Sequence, residues 1–312
     1  MPETKQQPST PTLKRSVLLR GIAWSMVSVL IFSVWFVATR FTVTHDLRFW
    51  DVIALRFGVG ALLLLPVLIV KRRRLLERAG EGFIFALLWG APFVLLLTLG
   101  LQMTTAAESS AVTPTLMPVF AGLIGWIVLR EKLGVAKWAG YAAIAAGLAI
   151  LMLNDPVANV SSNPVGLAPL ALASILWAVY TIRFRRSDMT PLEGATLMCI
   201  WSAVMYLPAY FIFGLSRLQT ASSGELVFQA IYQGLLMSVV AIISFNRAIT
   251  LIGPRAAAAI IAFVPLTTAL LAIPMIGEIP SLSGAIAICV IALGVIITAW
   301  PAGSEKAARP SP

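Results

Sequence analysis

The 312-residue chain is 59% hydrophobic and only 12% charged, with a mean hydropathy of +0.91, whereas a soluble domain carries roughly 25% charged residues and about 45–50% apolar ones. That excess of apolar surface excludes a soluble fold and makes the bilayer the solvent. The net charge of +10 does not indicate a nucleic-acid partner, because the basic residues lie in short clusters between apolar runs, the distribution that orients a membrane protein.

Residues 1–19, polar and proline-containing, read as a disordered cytoplasmic tail. The apolar run behind them is too long for the core of a signal peptide. A crossing helix needs about 20 apolar residues, and ten such runs follow, at 21–43, 50–70, 82–102, 106–129, 134–153, 164–183, 191–214, 227–250, 255–276 and 280–300. On the first, Trp24, Ser28, Ile31 and Trp35 share a face. The second holds Arg56 about two turns from its outer end. The fourth opens near Glu108 and contains Pro114 and Pro118. The fifth has a small-residue packing stripe, Gly140, Ala143 and Gly147. Residues 154–163 form an outer linker. The sixth helix carries Trp177 and Tyr180. The eighth has one face made of Gln229, Gln233, Met237, Val240 and Ser244. Residues 301–312 are a second cytoplasmic tail. With the N-terminus inside, 19 of the 23 basic residues fall on the inner side, which supports ten spans and cytoplasmic termini.

The chain repeats itself. Pro118 precedes Glu131 by 13 residues and Gly147 follows that acid by 16; Pro265, Glu278 and Gly294 reproduce both spacings. Pro66 and Pro208 correspond at an offset of 142, and the helix ends TRF (39–41) and IRF (182–184) at 143. Five helices per repeat is an odd number, so residues 20–153 and 164–300 are expected in opposite orientations, as in many transporters. The predicted class is an all-α membrane protein of ten transmembrane helices arranged as two inverted five-helix repeats.

The segments 107–151 and 246–297 resemble the paired EamA domains of the drug/metabolite transporter superfamily, with a proline on the fourth helix of each half, a glutamate at its end and a glycine-bearing fifth helix. WDVIALRFGVGALLLLP (50–66) resembles the family's second helix with its arginine, and WAVYTIRFRR (177–186) its sixth. Ala287 stands where the second half would carry a glycine, Arg40 where a lysine often closes the first helix, and Glu108 where small residues are usual.

Several residues have more than one reading. Glu131 and Glu278 either gate and couple protons or cap the following helix. Arg56 either binds a substrate carboxylate or pairs with Asp51 or Glu108, or it reaches outward to the interface. Glu108 is either a protonatable coupling group or a solvated residue of an outer hairpin. Gln229, Gln233 and Ser244 face inward, onto a cavity or onto a neighbouring helix, because glutamines facing lipid leave amides unpaired. Trp35, Trp177 and Tyr180 either line an organic-substrate cavity or pack the core. The expected cavity excludes the fifth and tenth helices. Cys199 and Cys289 have no metal-ligand spacing, the single histidine, His45, lies in an outer loop, and no phosphate-binding loop or catalytic triad is visible. No cofactor or enzymatic activity is expected.

These readings lead to an inner-membrane secondary transporter that uses alternating access, with lipid and a small-molecule substrate as partners and no nucleic acid. The family resemblance implies export of amino acids, related metabolites or drugs. A nucleotide-sugar-like exchanger would need a basic pocket for phosphates, and a non-transporting scaffold or receptor would need neither the repeat nor inward polar faces.

Overall fold

The computed structural model describes residues 15–43, 47–130, 134–153 and 164–299. Among these every regular element is helical. In chain order they are α1 (Arg15–Val43), α2 (Phe49–Val70), α3 (Arg72–Glu77), α4 (Ala79–Trp89), α5 (Ala91–Met103), α6 (Ala106–Leu129) and α7 (Val135–Leu153), then α8 (Leu167–Arg186), α9 (Pro191–Ile212) and α10 (Ser223–Gln229). A π-helical segment, Ala230–Ala241, leads into α11 (Ile242–Ile261), α12 (Val264–Ile276) and α13 (Leu282–Ala299). Eight helices are long and apolar enough to cross a membrane. Two more, Val135–Leu151 and Leu282–Thr298, are apolar but shorter, at about 25 Å against a hydrocarbon core of about 30 Å.

Four details differ from the sequence reading. Helix α1 begins at Arg15, inside the expected tail. The basic loop after α2 contains a helix of its own, α3. The third span is broken at Gly90 (φ −94°, ψ −138°), where a Cβ would lie 2.1 Å from Ser202 Oγ and 2.3 Å from the Ala86 carbonyl oxygen. Ser202 Oγ accepts the Ala91 N–H beyond the break at 3.2 Å, so the interruption leaves that donor satisfied. The eighth span is π-helical over twelve residues. The wider i→i+5 turn moves its buried face to Gln229, Gln233, Met237, Ser238 and Ala241, and leaves Val240 half-buried.

The two halves pack mostly across one another. Helix α1 lies against α11, α12 and the π segment, while α8 lies against α4, α5 and α6. Helix α2 pairs with α9, α6 with α12, and α7 with α13. The α7–α13 contact is a backbone approach: a Cβ on Gly140 would meet the Gly294 carbonyl oxygen at 2.7 Å, and one on Gly147 the Ala287 carbonyl oxygen at 3.0 Å. Small residues let helices touch this closely.

The α2–α9 pair is clasped at both ends by a matched device. Asp51, in the first turn of α2, is fully buried and accepts from the Arg48 N–H (2.9 Å), the Tyr210 hydroxyl (2.5 Å) and the Arg217 N–H (2.9 Å). Glu193, in the first turn of α9, accepts from the Thr190 N–H (2.9 Å), Lys71 Nζ (3.0 Å) and Arg74 Nε (3.1 Å). Each acid caps its own helix and is held by residues at the far end of the other. The two helices therefore run antiparallel. Lys71–Arg78, Arg183–Arg186 and the start of α1 gather at one end of the bundle, called here the basic end.

Candidate functional site

A narrow pocket, with a free volume of ≈ 20 Å³, lies where α1, α2, α4, α5, α6, α8 and the π segment converge. Phe32, Trp35 and Phe36, one face of α1, form one wall; Trp89 and Phe93, on either side of the Gly90 break, form another; Trp177 of α8 closes it. The rings are mutually fixed. Trp177 stacks on Trp89 at 5.6 Å and 15°, and meets Phe32 edge-on at 5.8 Å and 90°. Tyr180 stacks on the other side of this cluster, 4.7 Å from Trp89.

Arg56 is the charged residue of this pocket, and it is 1% exposed. Its Cζ lies 5.7 Å from the Trp35 ring and 5.5 Å from Phe57, within cation–π range. Ser238 holds the Arg56 backbone by donating to its carbonyl at 2.6 Å, and Gly60 allows that approach, since a Cβ there would lie 2.6 Å from Ser238 Cβ. Nε and Nη1 of the guanidinium have no hydrogen-bond partner, nor has Trp177 Nε1. Asp51 and Glu108 do not pair with Arg56, which corrects that part of the sequence expectation. Asp51 is occupied by the α2–α9 clasp, and Glu108 takes the Thr105 N–H at 2.8 Å in a capping box that opens α6. Arg56 does not reach the interface either, being enclosed on all sides.

The other sequence candidates fall around the pocket rather than in it. Trp35 Nε1 donates to Gln233 Oε1 at 2.8 Å. Gln233 Nε2 reaches Gln229 Oε1 at 3.2 Å, and Gln229 Nε2 donates to Thr42 at 2.5 Å. The glutamines thus tie the π segment to α1, and Gln229 also borders a separate cleft between α1, α10 and α12. Tyr180 donates to Asn246 Oδ1 at 2.9 Å, leaving Asn246 Nδ2 without a partner. Ser244 is buried on α11 with its hydroxyl unpartnered, away from the pocket lining. Glu131 and His45 lie outside the described residues.

A second cavity, ≈ 220 Å³, opens at the basic end, bordered by Lys137, Tyr141, Thr181, Arg185, Arg186 and Thr298. Tyr141 belongs to α7 and Thr298 to α13, so the fifth and tenth spans line this vestibule, while no described residue of either lines the aromatic pocket. Their small-residue seam faces each other and frees their other faces. The opposite end carries the α1–α10–α12 cleft and, beside it, a tie between helices. Glu278 accepts from Arg40 Nε at 3.5 Å and from the Ala106 N–H at 3.2 Å, while Arg40 Nη1 donates to the Leu101 and Gln102 carbonyls at 3.0 and 3.3 Å. One ion pair joins the ends of α1, α5 and α12 to the start of α6.

Sequence reasoning missed Phe32, Trp89, Phe93 and Phe245 as pocket and cluster residues, and the Arg40–Glu278 tie. Phe32 and Phe36 share Trp35's face at helical spacing, which is a signal the sequence did carry. Trp89 and Phe93 are positioned by the Gly90 break, and nothing in a hydropathy pattern marks it.

The sequence profile of the EamA-like transporter family matches residues 19–153 and again 165–300. The chain belongs to the EamA-like transporter family. Among curated proteins, this family member is similar to three from Bacillus subtilis (strain 168). It is 26% identical to the uncharacterized transporter YoaV over 196 residues, 60% of this chain and 64% of that one. It is 23% identical to the uncharacterized transporter YdfC, over 73% of this chain and 74% of that one, and 25% identical to the uncharacterized transporter YwfM, over 62% and 64%. The matched part is thus less than two thirds of the length of YoaV and of YwfM. A solved crystal structure at 18% identity superposes with a TM-score of 0.66, covering 91% of this chain and 96% of that one, which gives the fold. The chain is a multi-pass membrane protein with two repeats of the EamA-like transporter family.

Proposed function

We propose that this transporter is a ten-span secondary carrier of small organic solutes, made of two oppositely oriented five-helix repeats, working by alternating access as an exporter from the cytoplasm. The observation that carries the reading is the pocket between the halves, lined by aromatic rings and holding hydrogen-bond donors with no protein acceptor. A scaffold has no use for such a site, since a buried unpaired cation is costly and is kept for a partner or a function. The antiparallel clasps of α2 and α9 and the antiparallel α7–α13 seam support the inverted arrangement. The open vestibule at one end and the Arg40–Glu278 tie at the other support a conformation open toward the basic end, and the charge bias supports taking that end as the cytoplasmic side of an inner membrane.

Arg56, Trp35 and Trp177 are the proposed substrate contacts, with Tyr180, Gln229, Gln233, Ser244 and Glu108 supporting them from the surrounding shell. Family membership favours amino acids, related metabolites or drugs as cargo. The vestibule's Lys137, Arg185 and Arg186 favour a second reading, a nucleotide-sugar exchanger, in which they would meet phosphates. Counterflow in liposomes containing the purified protein, screened with amino acids, organic acids, drugs and nucleotide sugars, tests both. Exchange of no solute in the panel sinks the carrier reading. Tags at the termini and at 154–163 should report the cytoplasm twice and the exterior once, and an external C-terminus would refute the repeat orientation.

A further inference from the structure

Resting on the carrier reading only for the word substrate, we propose that the aromatic pocket selects a net organic anion, a carboxylate on a flat apolar body, and disfavours the corresponding α-amino acid. The pocket's unpaired groups are all donors. Nε and Nη1 of Arg56 and Nε1 of Trp177 have no acceptor in the protein, and all belong to residues that line the same cavity. Other nearby donors are already committed: Trp35 Nε1 to Gln233, and the Cys199 thiol to the Ser238 carbonyl at 3.5 Å. The acids that might neutralise the guanidinium are committed too, Asp51 to three donors in the α2–α9 clasp and Glu108 to its helix cap. The cavity is thus complementary to an anion with several acceptor lone pairs. A carboxylate offers about four acceptor sites in a plane and meets a guanidinium edge side by side.

The lining also says what the ligand lacks. Among the described residues that line the pocket there is no Asp or Glu, and the side-chain oxygen is Thr113 Oγ1, which donates to the Leu170 carbonyl at 3.4 Å. An α-amino acid carries its ammonium on the carbon next to the carboxylate. Docking the carboxylate on Arg56 brings that ammonium beside the guanidinium, with no acid to receive it. Burying a cation unpaired is unfavourable, and two like charges together in a water-poor site repel. Removing the ammonium relieves both. The walls, Phe32, Trp89, Phe93 and Trp177, are flat apolar rings that match a flat apolar body in chemistry, and they must part to admit one, since the space between them is ≈ 20 Å³.

The test uses the purified full-length protein and three ligands with one aromatic body: 3-phenylpropanoate (anion), phenylalanine (zwitterion) and phenethylamine (cation). Calorimetric titration should show 3-phenylpropanoate binding roughly tenfold or more tightly than phenylalanine, with phenethylamine weakest. Arg56→Gln should weaken the anion roughly tenfold or more, and Trp177→Phe about tenfold, the worth of one hydrogen bond to a charged group. The ligand ranking on the unmodified protein decides the matter even if Arg56→Gln fails to fold. Phenylalanine equal to or tighter than 3-phenylpropanoate, no binding of 3-phenylpropanoate at millimolar concentration, or its displacement by chloride at equal concentration would each overturn the proposal. Counterflow of the same ligands separates this from the carrier reading. Binding of the anion without flux removes the transport reading and keeps the anion pocket; flux of phenylalanine untouched by Arg56→Gln does the reverse.

Discussion

Trp35 and Trp177 stand 142 residues apart, the offset that also relates Pro66 to Pro208, so they occupy equivalent places in the two repeats. Both rings line one pocket. Trp35 is locked by Gln233, which belongs to a side-chain chain running on to Gln229 and Thr42. Trp177 has no such partner, and its indole N–H is left open. The repeat supplies the frame twice, and the place where the second copy lacks its partner is where a ligand can take the partner's role. The same contrast separates the two buried acids, matched and satisfied in both halves, from Arg56, whose guanidinium no acid answers.

Four substitutions break or sharpen that contrast, the strongest first. Arg56→Met should abolish binding of an anionic solute yet raise thermal stability, because replacing an uncompensated buried charge with an apolar side chain gains about 1–4 kcal/mol; a fall in melting temperature would show that Arg56 is structurally paired after all. Asp51→Ala strips the clasp of an acceptor serving three donors and should cost about 3 kcal/mol, read as lost detergent-resistant protein; unchanged yield would mean the clasp is ornamental. Gln233→Leu makes Trp35 as open as Trp177 and should cost about 1–3 kcal/mol by denaturation, with the anion still bound. Trp177→Phe should change stability by under about 1 kcal/mol, since it deletes an N–H that has no partner; a larger loss would place Trp177 among the structural rings.

The helices were legible in the sequence because each is a long apolar run, and a long apolar run has one physical meaning in a bilayer. The start of α6 at Ala106 and its end at Leu129 coincide with the expected span. The repeat was legible because prolines, glutamates and glycines keep fixed spacings. Arg56, Trp35 and Trp177 were legible as candidates because charge and large aromatics are conspicuous in such a chain. Their surroundings were not. Hydropathy does not distinguish i→i+4 from i→i+5 bonding, so the π segment and its shifted face were invisible. Nor does it say which of several acids will meet a given arginine, because Asp51, Glu108 and Glu278 find their partners through packing between helices far apart in the chain.

The matched clasps have a consequence for biosynthesis. Asp51 sits in the second helix to be made, yet its hydroxyl donor, Tyr210, follows 159 residues later. At ~5–20 residues per second, the carboxylate waits roughly 8–30 s for that donor. Lys71 likewise waits for Glu193, 122 residues downstream. During that interval the first repeat is a bundle with an unanswered acid at one end and unanswered cations at the other, and only the arrival of α9 settles both. A ribosome stalled before residue 191 should therefore leave a nascent chain that membrane quality-control proteases cut, and one stalled well after residue 217 should leave a chain they spare.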